Sequence, residues 1–303
     1  MMKTDFSGIL LIKKPQGKTS HDMVYKVRRL YNTREVGHTG TLDPLATGLL
    51  VVLVGRAVKA CDMIVSDNKT YRAGLTLGIT TDTEDTTGEV LTRSDNIPSR
   101  EEAMAVFSSF VGKIQQVPPM YSALKVNGQK LVDLARRGKV VEREAREVEI
   151  SSLVATPCES DREYMLEVAC SKGTYIRTLC ADIGAKLGCG GAMHSLERVK
   201  SGIFSLDDAH TIEEIEAMSE DERLALLLPV EGVFDDLPIL KMPAFYQKLA
   251  KNGCEIYQKK IKTSYPIGTQ LRLYDENGFY AIGEVRDYPD GSAVKCIKFF
   301  TLG

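Results

Sequence analysis

Apolar positions along the chain fall into short stretches with two periodicities. Residues 8–13 (GILLIK) form a run closed by Lys14-Pro15-Gln16-Gly17, the pattern of a buried strand entering a turn. Thr19-Ser20 then cap a predicted helix with Met23, Val24, Val27, Leu30 and Tyr31 on one face. LLVVLV at 49–54 is a second buried strand. From Tyr71 onward Ala73, Leu75, Leu77 and Ile79 alternate with Arg72, Thr76 and Thr80, which predicts a half-buried strand. Ser99-Arg100-Glu101-Glu102 is a capping box, and Ala103, Val106, Phe107 and Phe110 continue its helix. Asn127-Gly128 predicts a hairpin turn, and a short helix follows as far as Arg136-Arg137-Gly138. Tyr164, Leu166, Val168 and Cys170 alternate as a further strand. Thr174 opens a helix carrying Ile176, Leu179, Cys180, Ile183 and Leu187, and Gly188 closes it. Residues 211–228 are helical in pattern and acidic. Beyond Leu237-Pro238 the texture changes to short strands at 270–274, 280–285 and 293–299 with turns between them, a β-rich module of roughly 65 residues.

Composition narrows the classes. The 303 residues suggest two domains, one large and one small, at roughly 150 residues each. An apolar fraction of 43% with 26% charged residues excludes wholesale disorder. LLVVLV, the longest apolar run, is far short of the roughly 18 residues of a membrane span, so no membrane role is expected. MMKTDFSG at the start has no apolar signal region, which predicts a cytoplasmic location. The seven cysteines are scattered, odd in number and without a C-x-x-C pair, the usage of reduced core thiols.

The net charge of −2 argues against a polyanionic partner only until it is divided. Residues 1–60 carry +6, residues 113–146 carry +5 and residues 241–303 carry +4, whereas 211–240 carry −8. The balance is a cancellation between basic stretches and one acidic insert. Such stretches are either solvated surface or a phosphate-binding track.

One loop concentrates candidate chemistry. Gly37-His38-Thr39-Gly40-Thr41-Leu42-Asp43-Pro44-Leu45-Ala46-Thr47-Gly48 fixes a single carboxylate between Leu42 and Pro44, directly before a buried strand. Proline restricts Asp43 to extended backbone, and a rigid strand after it would hold the carboxylate still. The loop reads either as a glycine-rich turn with a capping aspartate or as a place where another backbone or a ligand approaches closely. No Lys-Ser/Thr follows the glycines, so it is not a P-loop.

This loop resembles the signature loop of the bacterial TruB family, the tRNA pseudouridine-55 synthases. Lys14-Pro15-Gln16-Gly17-Lys18-Thr19-Ser20, Lys69-Thr70-Tyr71, Pro118-Pro119-Met120-Tyr121-Ser122-Ala123-Leu124-Lys125 and Cys170-Ser171-Lys172-Gly173-Thr174-Tyr175-Ile176-Arg177-Thr178-Leu179 resemble further family motifs, in the family's order. The resemblance spans residues 8 to 205. It implies an α+β fold with a mixed, largely antiparallel central sheet flanked by helices over residues 1–237, and a PUA-like RNA-binding module over 238–303. It also implies isomerisation of uridine to pseudouridine in the T arm of tRNA, with no cofactor, no metal and no guide RNA. Monomer is the default expectation.

By the same resemblance Asp43 is the catalytic carboxylate, either adding to the nucleoside or deprotonating its ribose. Arg177 pairs with it, and a guanidinium in a closed pocket would hold it in place. Tyr71 stacks on the uracil and is the candidate base for the C5 proton. Tyr175 and Leu196 wall the pocket, and His38 assists extrusion of the base. Lys18, Ser20, Lys69 and Lys125 are either RNA contacts or motif scaffolding, and Asp85 lies near the RNA or serves turn chemistry. Two departures stand out: Val132 replaces a tyrosine common in the family, expected to alter packing more than chemistry, and the tail resembles a PUA module only loosely. Two other readings compete with the stand-alone enzyme: an RNA-binding or RNA-folding protein without chemistry, and a guide-RNA-dependent relative.

Overall fold

The computed structural model describes residues 6–64, 68–122, 124–126 and 128–300. A nine-stranded sheet forms its centre, with seven strands on the main path: β1 (Gly8–Lys14), β2 (Thr47–Val54), β3 (Asn68–Leu77), β4 (Gly112–Gln116), β5 (Arg146–Pro157), β6 (Glu163–Ser171) and β7 (Gly191–Ser201). Their spatial order is β1-β2-β7-β3-β6-β5-β4, while Val36–His38 pairs with β2 and Phe204–Ser205 with β7. Along this path every pairing is antiparallel except β2 with β7, which run parallel at Thr47–Glu197 and Gly48–Arg198. The sheet is therefore mixed and largely antiparallel, as expected.

Helix α1 (Ser20–Leu30) covers β1 and β2 from one face, with Met23, Val24 and Val27 buried on Leu10, Ile12, Leu50 and Val52. Its start is fixed by a capping box in which Thr19 and Asp22 satisfy each other's backbone N–H. A second core lies under α2 (Arg100–Ser108) and α4 (Ile176–Lys186), where Phe107, Leu179 and Ile183 meet Leu75, Leu77, Tyr164 and Leu166. The short α3 (Leu131–Ala135) follows the hairpin of Lys125–Val126 and Gln129–Lys130. Asn127 itself lies outside the described residues, as does Ala123 of the quoted motif.

The C-terminal strands β8 (Ile239–Lys241), β9 (Ile256–Tyr257), β10 (Gln270–Asp275), β11 (Gly278–Arg286) and β12 (Ala293–Phe299) form a five-stranded sheet in the order β8-β10-β11-β12-β9. Ile282 and Phe300 pack into one cluster with Ile9, Leu49, Ala57 and Phe234, and Lys298 reaches both oxygens of Asp62 at 2.9 Å. Among the described residues, no helix is long and apolar enough to cross a membrane.

Several expectations need correction. The helix anticipated from Thr174 begins at Ile176, because the Thr174 hydroxyl turns back to donate to Ser171 O at 2.9 Å instead of capping it. The alternation from Tyr71 ends at Leu77: Gly78 adopts φ +84°, and Ile79–Thr81 pairs instead with Val90–Arg93. The acidic stretch is two short helices, Ile212–Ala217 and Glu220–Ala225, each with its own capping box. The long strands β5 and β7 carry no clean alternation and were not anticipated.

Where α4 crosses the start of β7, backbones meet directly. A Cβ at Gly184 would overlap Gly191 N and the carbonyl carbon of Gly190. Gly184→Ala should therefore cost about 3 kcal/mol of stability, since the obstacle is backbone rather than a yielding side chain. Urea titration of the variant against the parent measures this, with the midpoint moving and the slope unchanged.

Candidate active site

The Asp43 loop is held from both sides by groups distant in sequence. Ser20, at the start of α1, donates its hydroxyl proton to Leu42 O at 3.2 Å and accepts from Leu42 N at 2.8 Å. Gly17 N donates to Pro44 O at 2.8 Å, and Ala46 N closes a turn on Asp43 O at 3.1 Å. Leu42 and Ala46 are buried, so apolar anchors flank the carboxylate. The Asp43 side chain itself remains 40% exposed.

Arg177 enters from the first turn of α4. Its Nε stands 3.0 Å from Asp43 Oδ2, and its Nη1 3.7 Å from Asp85 Oδ2. Nη1 also donates to Thr83 O at 2.9 Å and Nη2 to Tyr121 O at 2.8 Å. The guanidinium is thus bonded on all three nitrogens, which fixes its plane as well as its position. The helix start is fixed in turn by Gln116, whose amide donates to Tyr175 O at 3.0 Å and accepts from Tyr175 N at 2.8 Å. Asp85 is buried and accepts from Thr83 Oγ1, Thr87 N and Thr87 Oγ1.

A cavity of about 450 Å³ opens above this pair. Asp43, Tyr71, Arg177, Tyr175, Leu196 and Lys69 all line it, so the structure brings together six residues singled out in the sequence. Tyr71 rises from β3 and is 8% exposed, with burial pushing its phenol above the ordinary tyrosine value. Burial likewise raises Tyr175. The apolar walls suit a flat heteroaromatic ring, and the carboxylate and guanidinium at the floor suit a polar reaction centre.

The remaining candidates lie outside the cavity wall. Ser20 is buried, and of the two roles open to it, its geometry is that of scaffolding. Lys18 and Lys125 are exposed. Asp85 supports Arg177 from behind. His38, on the short strand beside β2, is half-buried with Nδ1 unpartnered among the described residues, and burial lowers its pKa, which favours the neutral ring. Val132 lines the cavity itself, so it shapes the site as well as packing behind it.

Three residues at or beside the site were not anticipated. Gln116 and Arg198 occupy the buried parity of their strands, and a polar residue at a buried strand position is the one signal that could have found them. Lys14 is fully buried, its ammonium donating to Pro15 O at 2.9 Å and Lys18 O at 2.6 Å. Burial lowers its pKa to about 8 against the opposing pull of the Asp43 charge. Among the described residues, no group of three or more His, Cys, Asp or Glu is placed to hold a metal ion.

The chain is similar to known proteins over most of its length. Residues 28–176 match the N-terminal domain of the TruB family of pseudouridylate synthases, and residues 177–235 match a C-terminal domain described for tRNA pseudouridylate synthase B. A tRNA pseudouridine synthase B from Alkaliphilus oremlandii is 44% identical over 283 residues, covering 93% of this chain and 94% of the relative. One from Clostridium perfringens is 41% identical, covering 90% and 93%. Among solved structures, an H/ACA RNP bound to a substrate RNA containing 2′-deoxyuridine shares the fold, with a TM-score of 0.70 and 21% identity over 99% of this chain and 87% of that one.

Lys14 gives a pH-dependent signature. Its pKa falls from 10.5 in the unfolded chain to about 8 in the fold, so between those values the unfolded state holds more protons. Its contribution to stability therefore rises with pH across about 8 to 10.5 and is flat below. Stability of the parent minus that of Lys14→Met, from urea melts at successive pH values, should rise over that window; a difference that is level or falling there contradicts the assignment.

Proposed function

The chain belongs to the TruB family of pseudouridylate synthases, and we propose that it converts the uridine at position 55 in the T loop of tRNA to pseudouridine, with Asp43 as the reacting carboxylate. The observation that carries this is the Asp43–Arg177 pair at 3.0 Å on the floor of a cavity walled by Tyr71, Tyr175 and Leu196.

The target base is first extruded from the folded T loop, at a cost met by stacking in the cavity and by phosphate contacts outside it. Tyr71 offers its ring face to the uracil, with Tyr175 and Leu196 closing the sides. Asp43 acts on the nucleoside at C1′ or on its ribose, and the C1′–N1 bond breaks. The uracil turns within the walls, C5 bonds to C1′, the C5 proton leaves and N1 gains one, so the product is an isomer of the substrate. Tyr71, which stacks on the uracil in this reading, is the candidate acceptor for the C5 proton. Arg177 holds Asp43 at one angle throughout, which is the placement such a reaction needs.

Outside the cavity, Lys18, Lys125, Arg136, Arg137 and Lys139 are exposed and follow the basic stretches of the sequence. They form the phosphate-binding track of this reading. Residues 1–237 then act as the catalytic domain and 238–303 as an additional RNA-binding module, on free tRNA without a guide RNA.

Asp43→Asn keeps the size and polarity of the side chain and removes its charge. It should abolish release of labelled C5 hydrogen from a T-arm stem-loop, while tRNA affinity stays within about tenfold, or roughly 1.4 kcal/mol. Full activity in this variant would overturn the catalytic assignment, and tRNA binding without hydrogen release by the parent would favour a binder without chemistry. Affinity should also fall as salt rises, and Arg136→Glu or Arg137→Glu should make the log–log slope shallower by about one. A flat salt response would leave those residues as solvated surface.

A further inference from the structure

We propose that Arg198 is a positioning residue for the reaction: its guanidinium fastens both ends of the loop that carries Asp43, and so determines where the carboxylate stands. The inference rests on the reading of Asp43 as the reacting group and extends it to a residue in a different strand. Arg198 Nη2 donates to Gly40 O at 3.0 Å, near the start of the loop, and Nε donates to Leu49 O at 2.8 Å, in β2 just after it. One rigid fork therefore ties the beginning of the loop, two residues past the strand Val36–His38, to the strand that it enters.

The backbone of Arg198 contributes as well. In β7 it pairs with Gly48 on one side, within the parallel junction, and with Tyr71 across the antiparallel junction on the other. Gly48, Arg198 and Tyr71 thus form a row across three adjacent strands. Gly48 adopts φ +96°, and a Cβ there would overlap the Arg198 carbonyl oxygen, so the loop can rejoin β2 only as closely as glycine allows. The register of β7 against β3 shifts between Arg198 and Lys200, a bulge of the kind that re-aims a side chain.

Packing alone does not account for an arginine here. The side chain is 2% exposed and forms no ion pair among the described residues, so its charge is desolvated without a carboxylate to offset it. An apolar residue would fill the space more cheaply. What only a guanidinium supplies is two donors in fixed geometry for two carbonyls; an ammonium is a single point and cannot span both. Arg198 also lines the cavity beside Tyr71 and hydrogen-bonds its phenol, and that bond and the positive charge together oppose the burial-driven rise of the phenol pKa. Arg177 orients the carboxylate and Arg198 orients the backbone that delivers it.

The test uses the full chain with Arg198→Lys, which keeps the charge and loses the fork, and Arg198→Gln, which loses both. Each is assayed by circular dichroism, by amide hydrogen exchange, by affinity for a T-arm stem-loop, and by single-turnover release of C5 hydrogen against pH. In both variants exchange should speed up by about tenfold at residues 39–49, including the Ala46 amide bonded to Asp43 O, and stay unchanged in β1 and α1. The single-turnover rate should fall by about a hundredfold, the scale of a misplacement of about 1 Å, with affinity held within about threefold. In Arg198→Gln the alkaline limb of the pH profile should also move upward.

Unchanged exchange in the loop, exchange that rises equally in β1, a rate within about threefold of the parent, or loss of the folded state in both variants would each overturn the proposal. Exchange does not depend on turnover. If Asp43→Asn proved active, the loop measurement would still decide the clamp, so the two readings fail separately.

Discussion

The ion pair between Arg177 and Asp43 is the constraint on which the remaining arrangement depends. A guanidinium that is 6% exposed must have its donors satisfied, and removing any partner leaves a desolvated charge at a cost of about 3 to 5 kcal/mol. Arg177 meets that demand with Asp43, Asp85, Thr83 O and Tyr121 O, which lie in three separate segments of the chain. The Asp43 loop, the 81–88 turn, the Pro118–Ser122 segment and α4 therefore cannot move independently without exposing the cost. The pair gives the carboxylate an orientation, and the same bonds assemble the cavity around it.

Sheet topology explains why that assembly lies where it does. An antiparallel strand can follow its neighbour through a tight turn, whereas the single parallel pairing on the main path joins segments about 150 residues apart in sequence. Gly48 and Arg198 meet there, and the loop carrying Asp43 enters the sheet at that seam. Tyr71 from β3, Leu196 from β7 and the start of α4 line the cavity beside that seam. The position of the cavity thus follows from the order of the strands.

Short-range patterns in the sequence carried much of this. The cap at Thr19, the capping box at Ser99–Glu102, the apolar runs of β1 and β2 and the alternation through Tyr71 and Tyr164 all fix local structure through neighbours within a few residues, and each formed as expected. Strands β5 and β7 escaped notice because their pattern is interrupted: in β5 the alternation of Val148 and Ile150 slips by one residue before resuming at Leu153 and Ala155, and β7 contains two register shifts that break a period of two. At the site, Asp43, Tyr71, Tyr175, Arg177 and Leu196 were legible because they lie in motifs shared with the TruB family. Lys14, Gln116 and Arg198 were not singled out, since their importance lies in what they touch across the fold. A buried polar residue is bonded to something, but only the tertiary structure says to what.

Charge shows the same dependence on scale. The whole chain sums to −2, the first sixty residues to +6, and the immediate surroundings of Asp43 hold Lys14, Arg177 and Arg198 against Asp43 and Asp85. Those three cations are buried and committed: Arg177 to carboxylates and carbonyls, Lys14 to carbonyls, and Arg198 to carbonyls and the Tyr71 phenol. A committed cation cannot swing out to meet a polymer's phosphates, so in the proposed reading surface binding falls to exposed side chains such as Lys18, Lys125 and Arg136. The two sets of charges answer to different physics. Salt screens the exposed set within a Debye length of about 8 Å, and acts far less on the buried set. In the proposed reading, rising ionic strength weakens the grip on tRNA while the geometry around Asp43 stays unchanged.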